Sequence, residues 1–261
     1  MKTRVILAFL LLNFTISLWA SPTRITLVYE TQPNPPYYLG TDKIDWKKPG
    51  VTLEALKLLE GKLNIRIDFH RRPWARGLDY IKKNKMDGIF HSSFMEERLG
   101  FGIYPMKDGK PDPSRKIMDQ SYILYKRKDS PLQWDGKAFS NLYGSIGVII
   151  QYAIVEDLRK MGVSVSETRT HLNSLKMLVK ERVAGVVSLG SMNDIHIKAH
   201  PETFKDIVKV STPIKHTPYY LMFSYKFVRE NPALTESIWD TIRDIHLSGE
   251  YDEIFKKYID D

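Results

Sequence analysis

The stretch from Arg72 to Arg98 restricts the fold more tightly than any other part of the chain. Arg72-Pro73-Trp74-Ala75-Arg76 opens a short amphipathic helix in which Leu78 and Ile81, three residues apart, share one face. Lys82, Lys83 and Lys85 crowd its end, where the helix dipole favours positive charge. Met86-Asp87-Gly88-Ile89-Phe90 then reads as a buried strand, followed by His91, Ser92 and Ser93, with Arg98 beyond them. Open α/β sheets deliver their ligand-binding groups at the carboxyl ends of strands. Arg grips a carboxylate through two parallel hydrogen bonds, and hydroxyls add more. Helix, strand and loop together have the makings of half of a small-anion clamp.

The rest of the chain repeats this alternation. Arg24 to Tyr29 alternates and is β-rich, whereas Gln32 to Tyr38 carries Pro33, Pro35 and Pro36 and must be an irregular loop. Val51 to Glu60 reads as a helix ending near Gly61, and Ile65 to Phe69 as the next strand. That order predicts a mostly parallel sheet covered by helices. Gly102 to Met118, punctuated by Pro105, Gly109, Pro111 and Pro113, reads as an extended loop before a strand at Tyr122 to Tyr125. A second set follows: a strand at Ser145 to Ile150, helices at Ile154 to Met161 and Leu172 to Val179, and a strand at Val183 to Leu189. Ser188-Leu189-Gly190-Ser191 reads as the loop after that strand. Tyr219 to Ser224 is one more strand, and the chain is helical from Leu234.

Residues 1–20 read as a signal peptide: Lys2 and Arg4 precede an apolar core, Val5 to Leu12, with a plausible cut after Ala20. The expected location is the periplasm. With no Cys there is no lipid-anchoring cysteine, no disulfide and no thiol chemistry. The formal net charge of +8 is spread among mixed signs with no long basic block, so a nucleic-acid partner is not expected. His196 and His200 have a spacing that can serve zinc, but no acidic or Cys ligand accompanies them, and neither metal nor cofactor is expected. No hydrolase or phosphate-loop motif is present.

Trp74, Leu78, Asp87-Gly88-Ile89, Ser92-Ser93 and Glu97-Arg98 together resemble the first-lobe segment of the periplasmic solute-binding proteins of the polar amino-acid ABC transport family (extracellular solute-binding proteins, family 3). The resemblance runs to the chain's end at Ser248 to Tyr258. It implies an α/β, type II clamshell of two lobes joined by a two-crossing hinge. The first lobe would take residues 21–125 and 222–261, and the second 126–221. It further implies a monomer without enzymatic activity that closes around a small polar, carboxylate-bearing solute and presents it to an ABC transporter permease. A membrane sensor as the partner, and less so an enzyme on the same clamshell with His91 and Glu30 as acid and base, are the alternatives.

By the same resemblance, Arg98 pairs with a ligand carboxylate assisted by Ser93 and Ser92, and Trp74 walls the site. Tyr37 or Tyr38 stacks on the ligand, and Glu30 receives an ammonium. Gln151, Tyr152 and Ser191 add contacts from the second lobe. Two departures stand out. The small-hydroxyl cradle after the Gly147-Val148 strand is replaced by Gln151-Tyr152-Ala153, and the position of the family's ammonium-holding Asp falls on Leu189. Glu30 or Asp194 would have to substitute, or the ligand is not an ordinary α-amino acid.

Overall fold

A computed structural model describes residues 23–41 and 43–259; the expected signal peptide lies outside the described residues. The first strand, β1 (Thr23–Glu30), has Ile25, Leu27, Val28 and Tyr29 all buried, on both of its faces. A strand pairs so only when neighbours flank it and helices cover it. Its neighbours are β2 (Ile65–Arg72), paired in parallel along its whole length, and β3 (Gly88–Ser93), paired through Leu27 and Val28. The covering helices are α1 (Val51–Leu63) and α2 (Trp74–Lys82). Contrary to the sequence reading, α1 runs past Gly61, which has open space around it, and ends where Asn64 turns left-handed (φ 49°). Asp87 locks this layer: its carboxylate accepts from the Thr26 amide and hydroxyl, both at 2.7 Å.

The second layer repeats the plan. A central strand, here the fifth, Ile146–Ile149, lies between Val165–Thr168 and Gly185–Leu189, all parallel. Two long antiparallel strands join the layers, Met118–Arg127 and Lys215–Ser224. In chain order these strands are β4 (Met118–Arg127), β5 (Ile146–Ile149), β6 (Val165–Thr168), β7 (Gly185–Leu189), β8 (Ile207–Lys209) and β9 (Lys215–Ser224). The layer's helices are α3 (Ile154–Lys160), α4 (His171–Val179) and α5 (Gly190–Ala199).

β4 pairs with β9 over Met118–Tyr122 and with β7 over Tyr122–Tyr125. β9 pairs with β4 over Lys215–Tyr219 and with β3 from Tyr219 onward. Each crossing strand thus pairs with the other over about half its length and with a single lobe over the rest, β4 with the second lobe and β9 with the first. The crossing strands pair with each other over 118–122 and 215–219, and each exchanges that partner at Tyr122 or Tyr219. The final helices, α6 (Pro232–Leu247) and α7 (Glu250–Ile259), return to the first lobe. Tyr258 donates to Glu54 of α1 at 2.9 Å, and the Trp239 indole donates to the Leu221 carbonyl at 2.8 Å.

Gly102 to Met118 is more ordered than a loop. It contains a small hairpin pairing Met106–Lys107 with Lys110–Pro111 and a 3-10 turn at Pro113–Arg115. Arg115 fastens it to α6 through Glu236 and Asp240, both at 2.7 Å. Ser188 and Leu189 belong to β7, and Gly190 and Ser191 already open α5, so the expected loop there does not exist.

Candidate ligand-binding site

A cavity between the lobes is lined from the first lobe by Glu30, Asn34, Tyr38, Trp74, His91, Ser93 and Arg98. The crossing strands add Tyr122 and Tyr219, and the second lobe adds Tyr152, Ala153 and Leu189. Its volume of about 20 Å³ holds one water-sized guest, with the Tyr152 ring edge-on to Trp74 across it, 6.3 Å between centres. Outside it, α2 and α3 flank a groove of about 510 Å³ that Arg98, Gln151 and Tyr152 also line.

Arg98 is 4% exposed. Its guanidinium donates to the Ser93 carbonyl at 2.7 Å, the Ser92 hydroxyl at 3.3 Å and, across the cleft, the Gln151 carbonyl at 2.9 Å. It lies 5.4 Å from the centre of the Trp74 ring, a cation–π distance. Every acceptor is neutral; no carboxylate among the described residues pairs with it. Ser92 supports it from behind, since its hydroxyl donates to the Tyr104 hydroxyl at 2.7 Å, which in turn donates to the Ser93 carbonyl at 2.9 Å.

Glu30 ends β1 beneath the first turn of α2. Its two oxygens accept from the Thr31 amide at 2.7 Å and the Trp74 amide at 3.1 Å. Burial pushes its pKa up to about 7, although these amides pull the other way. Asp194, the other candidate acid, is spent elsewhere: it accepts from the Tyr125 hydroxyl at 2.7 Å and pairs with Lys209 at 2.6 Å.

A β-bulge shapes the first-lobe wall. The pairing of β3 with β9 slips between Met222 and Tyr220, opposite Phe90 and His91, and His91 has φ 60°. Bulges re-aim side chains, and here the extra residue brings an imidazole to the cavity. His91 is buried, with Nε2 2.8 Å from the Thr52 hydroxyl and Nδ1 without a partner. Burial drives its pKa down to about 3, so it is neutral at any physiological pH.

The second lobe contributes differently from expectation. Gln151, with φ 62°, turns its side chain to solvent and its carbonyl to the first lobe, where it accepts from Arg98 and from the Trp74 indole at 3.3 Å. Ser191 does not line the cavity but donates to Asn34 at 2.6 Å across the cleft, with Gln120 of β4 completing the cluster at 2.8 Å. Tyr38 faces the cavity in place of Tyr37, whose ring packs against His91 and Phe255 of α7. Asn34, Tyr122, Ala153 and Tyr219 escaped the sequence reading. The two tyrosines lie on the crossing strands, where only long-range pairing puts them beside the strand ends.

The second lobe also buries a polar pair that resembles catalytic equipment. The Ser188 hydroxyl lies 2.8 Å from His171 Nδ1, but Ser188 is 1% exposed and Tyr152 stands between the pair and the cavity. Burial holds His171 neutral, with a pKa down to about 3. Among the described residues, no group of three or more His, Cys, Asp or Glu side chains is gathered as for a metal, and no helix is long and apolar enough to cross a membrane.

Two α/β lobes with a partly polar cavity at the strand ends and two crossing strands define a clamshell ligand binder. The model of the bacterial extracellular solute-binding proteins, family 3, matches residues 25–261, and the chain belongs to that family. No curated protein matches the sequence. Among solved structures, a mutant of ArgBP from T. maritima is similar at 18% identity, with 91% of this chain and 96% of that one covered and a TM-score of 0.68. The arginine-, lysine-, histidine-binding protein ArtJ from Geobacillus stearothermophilus is similar at 15% identity over 92% and 96%, with a TM-score of 0.69. A histidine kinase sensor domain with similarity to periplasmic binding proteins reaches 0.69 at 16% identity over 91% and 96%. At these identities the likeness carries the type II two-lobed fold.

Proposed function

We propose that this solute-binding protein works in the periplasm, captures a small carboxylate-bearing solute between its lobes and presents it to an ABC transporter permease. The observation that carries the reading is the Arg98 guanidinium, buried in the cleft with only neutral acceptors around it. Such a cation is costly to bury and gains most from a bidentate carboxylate. In the closed arrangement the Gln151 carbonyl and the hydroxyl of Ser92 stand in for that carboxylate. Ser93 and Trp74 position the guanidinium, while Tyr38 and Tyr152 close over the guest. Opening and closing take place where 118–122 pairs with 215–219, and the ligand drives closure by binding the closed form better than the open one. The reading is one of binding without turnover: His91 and Glu30 would be the acid and base of an enzyme, but one is neutral and bonded to Thr52 and the other holds the start of α2.

The similarity to a histidine kinase sensor domain favours a second reading, in which the closed protein reports the ligand to a membrane receptor. A thermal-shift screen of the purified protein against carboxylates, amines and amino acids, run beside Arg98→Ala, tests the capture step common to both. A shift present in the native protein and lost in the variant supports the clamp, because a ligand specific to the folded form must raise its melting temperature. An equal shift in both refutes it. Uptake of the identified ligand by cells lacking the protein then separates transport from sensing.

A further inference from the structure

Hydrogen counting around His91 says what kind of ligand the first lobe awaits; the argument rests on the solute-binding reading above. Thr52 is fully buried, and among the described residues its hydroxyl has one hydrogen-bonding neighbour, His91 Nε2 at 2.8 Å. A buried hydroxyl hydrogen without an acceptor is costly, so Thr52 donates to Nε2. The single ring proton of the neutral imidazole is then on Nδ1, which has no acceptor. Tyr219 is His91's neighbour across the β-bulge, with ring centres 6.4 Å apart. Its hydroxyl is also buried and unpartnered; the Tyr122 hydroxyl is near but outside hydrogen-bond geometry. Both residues line the cavity, as does the Arg98 guanidinium. The wall therefore presents three donor groups.

The same space offers a ligand ammonium no unengaged acid. Glu30 is the one acid lining the cavity, and each of its oxygens already takes a backbone N–H. The second lobe offers Leu189 and Ala153, with Asp194 tied to Tyr125 and Lys209.

We propose that the ligand is a compact organic anion with at least two oxygen acceptors and no ammonium group, a hydroxy-, oxo- or dicarboxylate. One carboxylate meets Arg98, and further oxygens accept from His91 Nδ1–H and the Tyr219 hydroxyl. An α-amino acid would leave its ammonium against Leu189 and these donors unmatched, which a buried site tolerates poorly.

The test is calorimetric titration of protein purified from the full-length gene with L-malate, 2-oxoglutarate and succinate, and with L-glutamine and L-arginine as ammonium-bearing controls. At least one anion binds and the two amino acids do not. Tyr219→Phe, which removes one oxygen from an unpaired position, weakens the anion about tenfold while its unliganded melting temperature stays level or rises. His91→Leu weakens the anion likewise but lowers the unliganded melting temperature, because it leaves the Thr52 hydroxyl without an acceptor and puts Leu at a left-handed position. His91→Asn, tolerated at a left-handed position and able to place an amide N–H near Nδ1, retains most of the affinity. Should His91→Leu fail to fold, Tyr219→Phe alone decides. Anion binding indifferent to Tyr219→Phe overturns the subsite and leaves the solute-binding reading standing. Tight binding of glutamine or arginine in place of the anions overturns the ligand class. A ligand held equally well by Arg98→Ala overturns the parent reading.

Discussion

The two lobes are built on one plan and face the cavity with opposite chemistry. In both, a strand begins at a glycine whose neighbouring side chains crowd the space a Cβ would fill. A Cβ on Gly88 would lie 2.8 Å from Leu27, and one on Gly185 would lie 2.8 Å from Leu124. From that shared start, β3 runs six residues to Ser93 and β7 runs five to Leu189, and both last residues line the cavity. The extra residue is absorbed by the bulge that delivers His91. The first lobe thus contributes Glu30, His91, Ser93 and Arg98, and the second Tyr152, Ala153 and Leu189. Charged and hydrogen-bonding groups are concentrated in one lobe, and the other contributes a largely apolar cover. Electrostatic contacts gain strength under such a cover.

The division can be broken most severely at Arg98. Arg98→Ala leaves a ligand carboxylate buried without a partner, at a cost of about 4 kcal/mol, and titration calorimetry should then detect no high-affinity binding. Next in size is a pH effect seated in the first lobe. Glu30, pushed from 4.5 to about 7 by burial, keeps a proton in the folded protein that the unfolded chain releases. Its contribution to stability is therefore full below pH 4.5 and is lost as pH rises through 7, amounting to about 3 kcal/mol. His91 and His171, pushed down to about 3, act with the opposite sign: their contribution is full above 6.5 and lost as pH falls towards 3. Urea unfolding from pH 4.5 to 8 should show Glu30→Gln gaining stability relative to the native protein as pH rises. Parallel profiles would show that Glu30 is solvated.

Leu189→Asp tests whether the apolar cover sets the ligand class. An acid there repels an anion and welcomes an ammonium, and the preference between the two should move by about 2 kcal/mol in competition binding. An unchanged preference would mean that the second lobe plays no part in selection. The smallest effect is expected at the latch. Ser191→Ala removes the bond to Asn34, weakening the closed form by about 1 kcal/mol, and small-angle scattering of the unliganded protein should register a larger radius of gyration.

Asp87-Gly88-Ile89 was legible because a buried strand with a flanking helix has an apolar signature, and Arg98 was picked out because Glu97-Arg98 resembles the family's motif. Tyr38 as against Tyr37, and the carbonyl of Gln151 as against its side chain, were not legible. Adjacent residues of a proline-stiffened loop differ only in direction, and the left-handed turn at Gln151 is unusual for that residue type. The partner exchange within β4 and β9 was equally hidden, since a continuous β pattern carries no mark of which neighbour it pairs with.

What the sequence determined by itself was the alternation of strands and helices, the repetition of that unit and the identity of the buried cation. Each follows from the period of apolar residues and the chemistry of a side chain. The tertiary structure decided the bulge that turns His91 to the cavity, the strand register that sets Tyr219 beside it, and the closure that brings Gln151 to Arg98. These depend on hydrogen bonds between residues far apart in the chain, and no local pattern encodes a distant partner.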